Sequence, residues 1–242
     1  MWAAEYGRRV ISISPPGVET VALQAEKYRL SELAALVVRL FDVLDFERAA
    51  FVGHSWGASI GCHLAARYPQ RLSALALLDA GYQDIPDDGK DLHARVEEAR
   101  SDSEGFRFSS WEAFLEVVRG WYPHWRPELE ERLRAGMRKD DGQVVVTASP
   151  EAGAAALQGV ISEPPTRQLA VIGRLDLPVL LVVSSERGDT DEGVSAIRRF
   201  SEEVPHAIVE RVPDSGHDLL ADQPEATIRV VGEFLRRVDS LS

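Results

Sequence analysis

The pentapeptide Gly53-His54-Ser55-Trp56-Gly57 constrains the fold of this chain more than any other stretch. An apolar run, 49–52, precedes it, and small and apolar residues at helical spacing follow it over 58–68. Glycines two positions either side of a serine let a strand and a helix approach closely around a tight turn, so that the serine hydroxyl is exposed at its tip. The stretch therefore predicts a strand, a turn that presents Ser55, and a helix.

Strand-like and helix-like segments alternate on both sides of this turn. Strands are predicted at 10–14, 49–52, 72–78, 178–183 and 207–212, and helices at 30–44, 58–68, 191–203 and 224–238. Parallel strands need crossover connections, which helices supply. We therefore predict an α/β fold with three layers, α/β/α, around a mainly parallel sheet of about five strands, with the first strand at or near an edge.

The segment 82–175 interrupts the alternation. Charged residues become dense there and helical periodicity dominates, near 91–101, 110–121, 127–139 and 150–159, with one short strand signal at 144–147. We predict a helical insertion over 82–175 within a core formed by 1–81 and 176–242. Three tryptophans of the insertion form either its own small core or the wall of an apolar substrate pocket: Trp111, Trp121 and Trp125.

The composition narrows the class of partner. A formal net charge of −12 disfavours both a nucleic-acid-binding surface and adhesion to anionic membranes. The single cysteine, Cys62, excludes an intramolecular disulfide and a cysteine-based zinc cluster. The sequence shows no signal peptide, no membrane-spanning run and no metal or nucleotide motif. We expect a soluble, cytoplasmic protein that acts on a small molecule without a cofactor or a metal.

A nucleophilic serine needs an imidazole to take its proton and a carboxylate to orient that imidazole. His217 is the best placed histidine, because it lies in a loop between the last predicted strand and the last predicted helix, and reacting groups gather at the carboxyl edge of a parallel sheet. The remaining histidines are interpreted as structural or solvated: His54, His63, His93, His124 and His206.

With these residues the chain resembles the α/β-hydrolase fold superfamily, specifically its cap-bearing serine hydrolases. The resemblance rests on several segments together: Gly53 to Gly57, Arg67 to Leu72, Leu75 to Asp79, Leu177 to Leu181, Gly216-His217 and Gln223-Pro224-Glu225. It implies that Ser55 is the nucleophile, that His217 is the base, and that the backbone N–H of Trp56 is one oxyanion donor. It also implies that 82–175 is a helical cap.

The carboxylate that orients His217 has several candidates, because the chain departs from the usual family pattern. Most members carry the acid in a Gly-x-x-Asp pattern after the strand that here ends near Ser184, and Arg187 occupies the expected aspartate position. Some cap-bearing members place the acid directly after the strand that follows the serine turn, which here gives Asp79. We predict Asp79 as the acid, with Glu186 as the alternative and Asp189 as a weaker one.

A second departure is an absence: the family's usual His-Gly loop, whose backbone N–H is the other oxyanion donor, has no counterpart in this sequence. The chain is therefore expected either to be shortened at its start or to have lost catalysis, and ester turnover is expected to be weak. The strands that usually lie beside 10–14 are missing as well, so apolar surface at Val10, Ile11 and Ile13 should be uncovered. This predicts a homodimer or a tendency to aggregate.

The sequence thus predicts a cofactor-independent serine hydrolase that forms an acyl-enzyme with a small, largely apolar, ester-like substrate. With Trp56 directly after the serine, the motif is similar to that of proline iminopeptidases. Those enzymes carry a second glycine directly before the serine, where this chain has His54. A peptidase of that kind is therefore the first alternative. The second is a catalytically impaired, ligand-binding homologue.

Overall fold

The computed structural model describes residues 7–14, 17, 24–122 and 125–241. Its strands are β1 Ala49–His54, β2 Leu72–Leu78, β3 Arg107–Phe108, β4 Met137–Asp140, β5 Gln143–Val146, β6 Val179–Ser184 and β7 Ile208–Val212. Its α-helices are α1 Leu30–Val43, α2 Trp56–Arg67, α3 Leu92–Gly105, α4 Trp111–Arg119, α5 Pro127–Ala135, α6 Pro150–Ser162, α7 Leu169–Ile172, α8 Ser185–Gly188, α9 Asp191–Glu203, α10 Leu219–Asp222 and α11 Pro224–Leu241. Short 3₁₀ helices occupy Ala25–Tyr28, Pro69–Arg71 and Pro165–Gln168.

Four of these strands form one parallel sheet in the order β1-β2-β6-β7. The register pairs Gly53 with Leu77, Leu77 with Leu181, and Leu181 with Val209, so the carboxyl ends of all four strands meet at one edge. Each crossover contains at least one helix, as parallel pairing requires. The predicted α/β class with a parallel sheet is confirmed, and the sheet of the described residues has four strands where about five were expected.

The difference lies at 10–14, which was predicted as the first strand. In the structure this segment makes no strand ladder, and Val10, Ile11 and Ile13 are 53%, 38% and 45% exposed. Alternating apolar residues favour an extended chain, but a strand also needs a hydrogen-bonded neighbour, and the local pattern does not supply one. The uncovered apolar side chains agree with the expectation of exposed surface there, whereas the expected strand is wrong.

The two faces of the sheet are covered by different helices, because side chains alternate along each strand. Leu75 and Leu77 of β2 belong to a buried cluster that includes residues of α1, α2 and α9. Ala74, Ala76 and Leu78 belong to a second cluster, which α11 completes. Both clusters take residues from β6 in the same alternating way, so the sheet is the middle of three layers.

The described residues divide into two compact units. One contains 7–11, 30–86 and 160–241, and it holds the parallel sheet; the other contains 12–14, 17, 24–29, 87–122 and 125–159. The predicted insertion had its boundaries at 82 and 175. The second unit is helical as expected, but it also contains a three-stranded antiparallel sheet in the order β3-β5-β4, which corrects the prediction of a helical insertion with one short strand signal at 144–147. The two residues of β3 are too few for a periodic signal, and the residues of β4 lie mostly in the segment 127–139 that was predicted to be helical.

The second unit has its own small apolar core around Phe114, Leu115, Val118 and Val144. Trp111 and Trp125 pack against this core. Trp121 is exposed and stacks on Phe106, with ring centroids 5.5 Å apart. Two of the three tryptophans are therefore core residues of their own unit.

A buried histidine in the first unit makes the stability of the fold depend on pH. His63 of α2 is 3% exposed, and its Nε2 lies 3.1 Å from the carbonyl oxygen of Glu163, which accepts a hydrogen bond from the Nε2–H of a neutral ring. Its Nδ1 is buried with no hydrogen-bond partner among the described residues. Burial lowers the pKa of His63 below the ordinary value of 6.5, although the Glu163 carbonyl opposes part of that shift.

Because its pKa is lower in the folded state than in the unfolded state, neutral His63 contributes its full stability above about pH 6.5. That stability falls as the pH drops below this value, by at most about 1.4 kcal/mol per pH unit. Urea unfolding at pH 7.5 and pH 5.5 should show the loss in the wild type and a smaller loss in His63→Gln, whose amide N–H replaces the Nε2 donor. Equal losses in the two proteins would assign the pH dependence to other groups.

Candidate active site

Ser55 occupies the turn between β1 and α2 in a conformation that few non-glycine residues adopt. Its φ is 53° and its ψ is −117°. Its backbone N–H donates to the carbonyl of Leu78, 3.1 Å away, and its own carbonyl accepts from Ala58 and Ser59, at 3.0 and 3.2 Å. Such strain costs on the order of 1–3 kcal/mol and persists only where the surrounding structure holds it, most often at functional sites.

The two glycines of the motif are not equivalent in the structure. An ideal Cβ on Gly53 would overlap with the Gly57 carbonyl and lie 2.6 Å from the Ala58 nitrogen, which are backbone atoms that cannot move aside. An ideal Cβ on Gly57 would meet no described atom within 4 Å. Gly53 therefore carries the steric requirement that the sequence analysis assigned to both positions.

His217 lies in the loop between β7 and α10, and the structure brings it to Ser55 and Asp79. Its Nε2 is 2.9 Å from Ser55 Oγ, and its Nδ1 is 2.8 Å from Asp79 Oδ2. Both distances are below about 3.2 Å, the upper end of ordinary hydrogen bonds. The ring thus bridges a hydroxyl and a carboxylate through its two nitrogens.

Asp79 follows β2 directly and is fully buried, at 0% exposure. Its φ of 50° turns the chain immediately after the strand. Its Oδ1 accepts the backbone N–H of Ser184 at 2.8 Å, while its own N–H donates to Val182 at 2.8 Å. A buried carboxylate needs such partners, and these contacts fix the orientation of the oxygen that faces His217.

The two alternative acids lie elsewhere. The Glu186 carboxylate faces Gly216: an ideal Cβ on that glycine would lie 2.6 Å from Glu186 Oε2. The Glu186 backbone N–H donates to the carbonyl oxygen of Ser215. Asp189 is paired with Arg211. Of the three carboxylates considered, Asp79 is the one in hydrogen-bond contact with the His217 ring.

Two contacts at the site were missed by the sequence analysis. His54, interpreted as structural or solvated, places its Nε2 2.7 Å from the carbonyl oxygen of His217, so the residue before the serine holds the loop of the histidine. Arg187, noted only as standing where an aspartate was expected, places its Nη1 3.0 Å from His217 Nδ1 and 3.6 Å from Asp79 Oδ2. The Arg187 position was the available signal, because a long side chain at the family's usual acid position can reach the histidine.

Burial and the charge of Asp79 both affect the pKa of Tyr82. Its side chain is almost fully buried, and its hydroxyl has no hydrogen-bond partner among the described residues. Burial raises the pKa of Tyr82 to about 12, and the negative charge of Asp79 adds to this effect. The phenol therefore stays protonated throughout the working pH range of a hydrolase.

The remaining predicted site residue, Trp56, is the first residue of α2. Backbone N–H groups of a first helical turn point away from the helix body toward its N-terminus, where the helix dipole favours negative charge. Among the described residues no cluster of side chains has the composition of a metal site, and no helix is long and apolar enough to span a membrane. The arrangement has the parts required for proton transfer from a serine to an imidazole.

Comparison with known proteins agrees with the fold. A family model described as the alpha/beta hydrolase fold matches residues 3–224. The chain belongs to the α/β hydrolase fold family. The resemblance drawn from the sequence is confirmed by this match.

Individual relatives of this α/β hydrolase are distant. The putative 2-succinyl-6-hydroxy-2,4-cyclohexadiene-1-carboxylate synthase of Bacillus subtilis is 22% identical over 231 residues, covering 92% of this chain and 78% of that protein. The 3-oxoadipate enol-lactonase 2 of Acinetobacter baylyi is 22% identical over 218 residues, covering 87% of this chain and 72% of that protein. The pimeloyl-(acyl-carrier protein) methyl ester esterase of Chromobacterium violaceum is 26% identical over 190 residues, covering 77% and 70%. Among solved structures, E-2-(acetamidomethylene)succinate hydrolase has a TM-score of 0.71 at 23% identity, covering 91% and 79%.

The unequal roles of the two glycines can be tested with the same substitution at both positions. Gly53→Ala should lower the free energy of unfolding by about 1–3 kcal/mol, because its methyl group meets fixed backbone. Gly57→Ala should change it by no more than about 0.5 kcal/mol, because the methyl group enters open space. Urea unfolding of both variants measures the difference, and equal destabilisation would show that the close approach at Gly53 is not the constraint.

Proposed function

We propose that this α/β hydrolase is a cofactor-independent serine hydrolase that cleaves a small, largely apolar, carboxylic-ester-like substrate through an acyl-enzyme. The observation that carries the proposal is the hydrogen-bonded series from Ser55 Oγ through His217 to the buried Asp79 carboxylate, at 2.9 and 2.8 Å. Enzymes that activate a serine for acyl transfer use this arrangement of hydroxyl, imidazole and carboxylate.

In the first half of the proposed reaction, Ser55 Oγ attacks the carbonyl carbon of the substrate while its proton passes to His217 Nε2. The Asp79 carboxylate accepts a hydrogen bond from the Nδ1–H of the ring and stabilises the imidazolium that forms. The developing oxyanion is stabilised by the Trp56 backbone N–H, at the N-terminus of α2. The imidazolium then gives its proton to the leaving alcohol, and the acyl group remains on Ser55.

In the second half, water replaces the alcohol. His217 takes a proton from the water as its oxygen attacks the acyl carbon, and returns a proton to Ser55 Oγ as the acid leaves. The His217 side chain is 42% exposed, so water can reach the ring. No step needs a metal, a cofactor or a second substrate.

The ester-like class is supported by the names of the relatives, which include a methyl ester esterase and an enol-lactonase. Both of those names describe cleavage of a carboxylic ester, one open and one cyclic. A catalytically impaired ligand-binding homologue is the second candidate, because the guanidinium of Arg187 contacts the same nitrogen of His217 that the acid must use. The two candidates differ in the reactivity of Ser55.

A fluorophosphonate probe tests the nucleophile directly, since it modifies only a serine whose proton a neighbouring base can take. We expect stoichiometric labelling of the wild type at Ser55, no labelling of Ser55→Ala, and retained labelling of Ser59→Ala as the matched serine control. Mass spectrometry of the labelled peptide gives the site. Absence of labelling at high probe concentration would reject the hydrolase and favour the ligand-binding homologue.

The acid can be tested by removing one carboxylate charge at a time. Asp79→Asn should lower kcat/KM for a p-nitrophenyl ester by about 10³–10⁴-fold, because an amide cannot hold the productive tautomer of His217. Glu186→Gln, the control, should stay within about threefold, because its carboxylate faces Gly216. If Glu186→Gln loses the activity and Asp79→Asn keeps it, the assignment of the acid is wrong while the serine hydrolase stands.

A further inference from the structure

The Arg187 guanidinium and the Asp79 carboxylate both approach the same atom of the candidate base. Nη1 of Arg187 lies 3.0 Å from His217 Nδ1, and Oδ2 of Asp79 lies 2.8 Å from it. The same Nη1 donates to the backbone carbonyl of Asp79 at 3.0 Å, which anchors the guanidinium beside the ring. Nδ1 of His217 is therefore shared between a positive group and a negative group.

These two neighbours require opposite states of Nδ1. A guanidinium can only donate hydrogen bonds, so its contact with Nδ1 is favourable when that nitrogen presents a lone pair. An ionised carboxylate can only accept, so its contact is favourable when Nδ1 carries the proton. In the neutral ring, a proton on Nδ1 leaves Nε2 free to accept the Ser55 proton, whereas a lone pair on Nδ1 places the proton on Nε2 and blocks that transfer.

The positive charge of Arg187 also disfavours proton transfer from Ser55 to His217. Proton transfer from Ser55 makes His217 an imidazolium, and an opposite charge within a few ångströms stabilises it while a like charge does not. The guanidinium offsets the negative charge of Asp79, from which it is 3.6 Å away. The Arg187 side chain is 35% exposed, so solvent reduces this effect without removing it.

We propose that Arg187 is a positioning residue that restrains the reaction, by favouring the His217 tautomer with its proton on Nε2 and by opposing the imidazolium. Arg187 occupies the position at which most related hydrolases carry the acid. The effect on rate rests on the proposed hydrolase function, but the effect on the tautomer does not.

Three variants separate charge from shape. Arg187→Met removes the charge and the donors while keeping the length of the side chain, and Arg187→Gln is a second uncharged variant if the first does not fold. Arg187→Lys keeps the charge. Arg211→Met is the matched control, because Arg211 is also a partly exposed arginine near the same loops but pairs with Asp189 and the Gly188 carbonyl rather than with His217.

The first measurement is the ¹⁵N NMR spectrum of the imidazoles at a pH where the rings are neutral, with the His217 signals assigned by their loss in His217→Gln. In the wild type we expect Nδ1 to show substantial unprotonated character. In Arg187→Met it should become protonated and hydrogen-bonded to Asp79, whereas Arg187→Lys and Arg211→Met should resemble the wild type. A fully protonated Nδ1 in the wild type, unchanged in Arg187→Met, overturns the proposal.

The second measurement is ester hydrolysis, with kcat and KM determined separately. Arg187→Met should raise kcat about tenfold, equivalent to about 1.4 kcal/mol of activation free energy, with KM changed less than twofold. Arg187→Lys and Arg211→Met should stay within about threefold of the wild type. A fall in kcat in both Arg187 variants would mean that Arg187 only supports Asp79, and an equal rise in both would mean that charge is not the cause; either result overturns the proposal.

The two proposals fail separately. If no variant hydrolyses esters and Ser55 takes up no fluorophosphonate, the proposed function fails, while the NMR spectra still decide whether Arg187 sets the tautomer. If the wild type is an active hydrolase and Arg187→Met is slower than it, the function stands and the restraint is rejected.

Discussion

The candidate site depends on a close approach between two stretches of backbone, at Gly53 and Gly57, that only a glycine at the first position permits. This approach lets α2 begin directly after β1 and forces Ser55 into its left-handed conformation. The Ser55 N–H then reaches the carbonyl of Leu78, the residue before Asp79. The turn that presents the hydroxyl is thereby tied to the strand end that presents the acid, so the relative position of the two groups is set by main-chain contacts rather than by flexible side chains.

The electrostatics of the site centre on one fully buried carboxylate. An isolated buried charge is costly, and Asp79 is compensated by the Ser184 N–H, the His217 ring and the Arg187 guanidinium. The first two also suit the proposed mechanism, since the Ser184 N–H holds one carboxylate oxygen while the other lies 2.8 Å from His217 Nδ1. The Arg187 guanidinium also compensates the charge, but it weakens the attraction between the Asp79 carboxylate and the His217 ring. The stability of the carboxylate and its catalytic effect are therefore partly opposed in this chain.

Much of the core could be predicted because its signals are local. The bounds predicted for β2 and α9 match the structure, and the serine turn and His217 follow from short motifs at strand ends. The segment 10–14 failed because an extended pattern does not specify a strand partner, β3 because two residues cannot show a period, and β4 because its charged residues continue the helical pattern predicted at 127–139. The contact of His54 with His217 joins residues far apart in the chain, and no local pattern contains such information, whereas the contact of Arg187 was signalled only by its place at the family's usual acid position.

The distance along the chain between the three candidate reacting groups has a consequence for synthesis. His217 is 138 residues from Asp79 and 162 residues from Ser55, and it follows β7, which pairs with β6. Such long loops close late, because their entropy must be lost before the contacts form. In the proposed mechanism, a nascent chain that has folded its serine turn still lacks the base and therefore has no activated serine. Reactivity would then begin only once the sheet is complete.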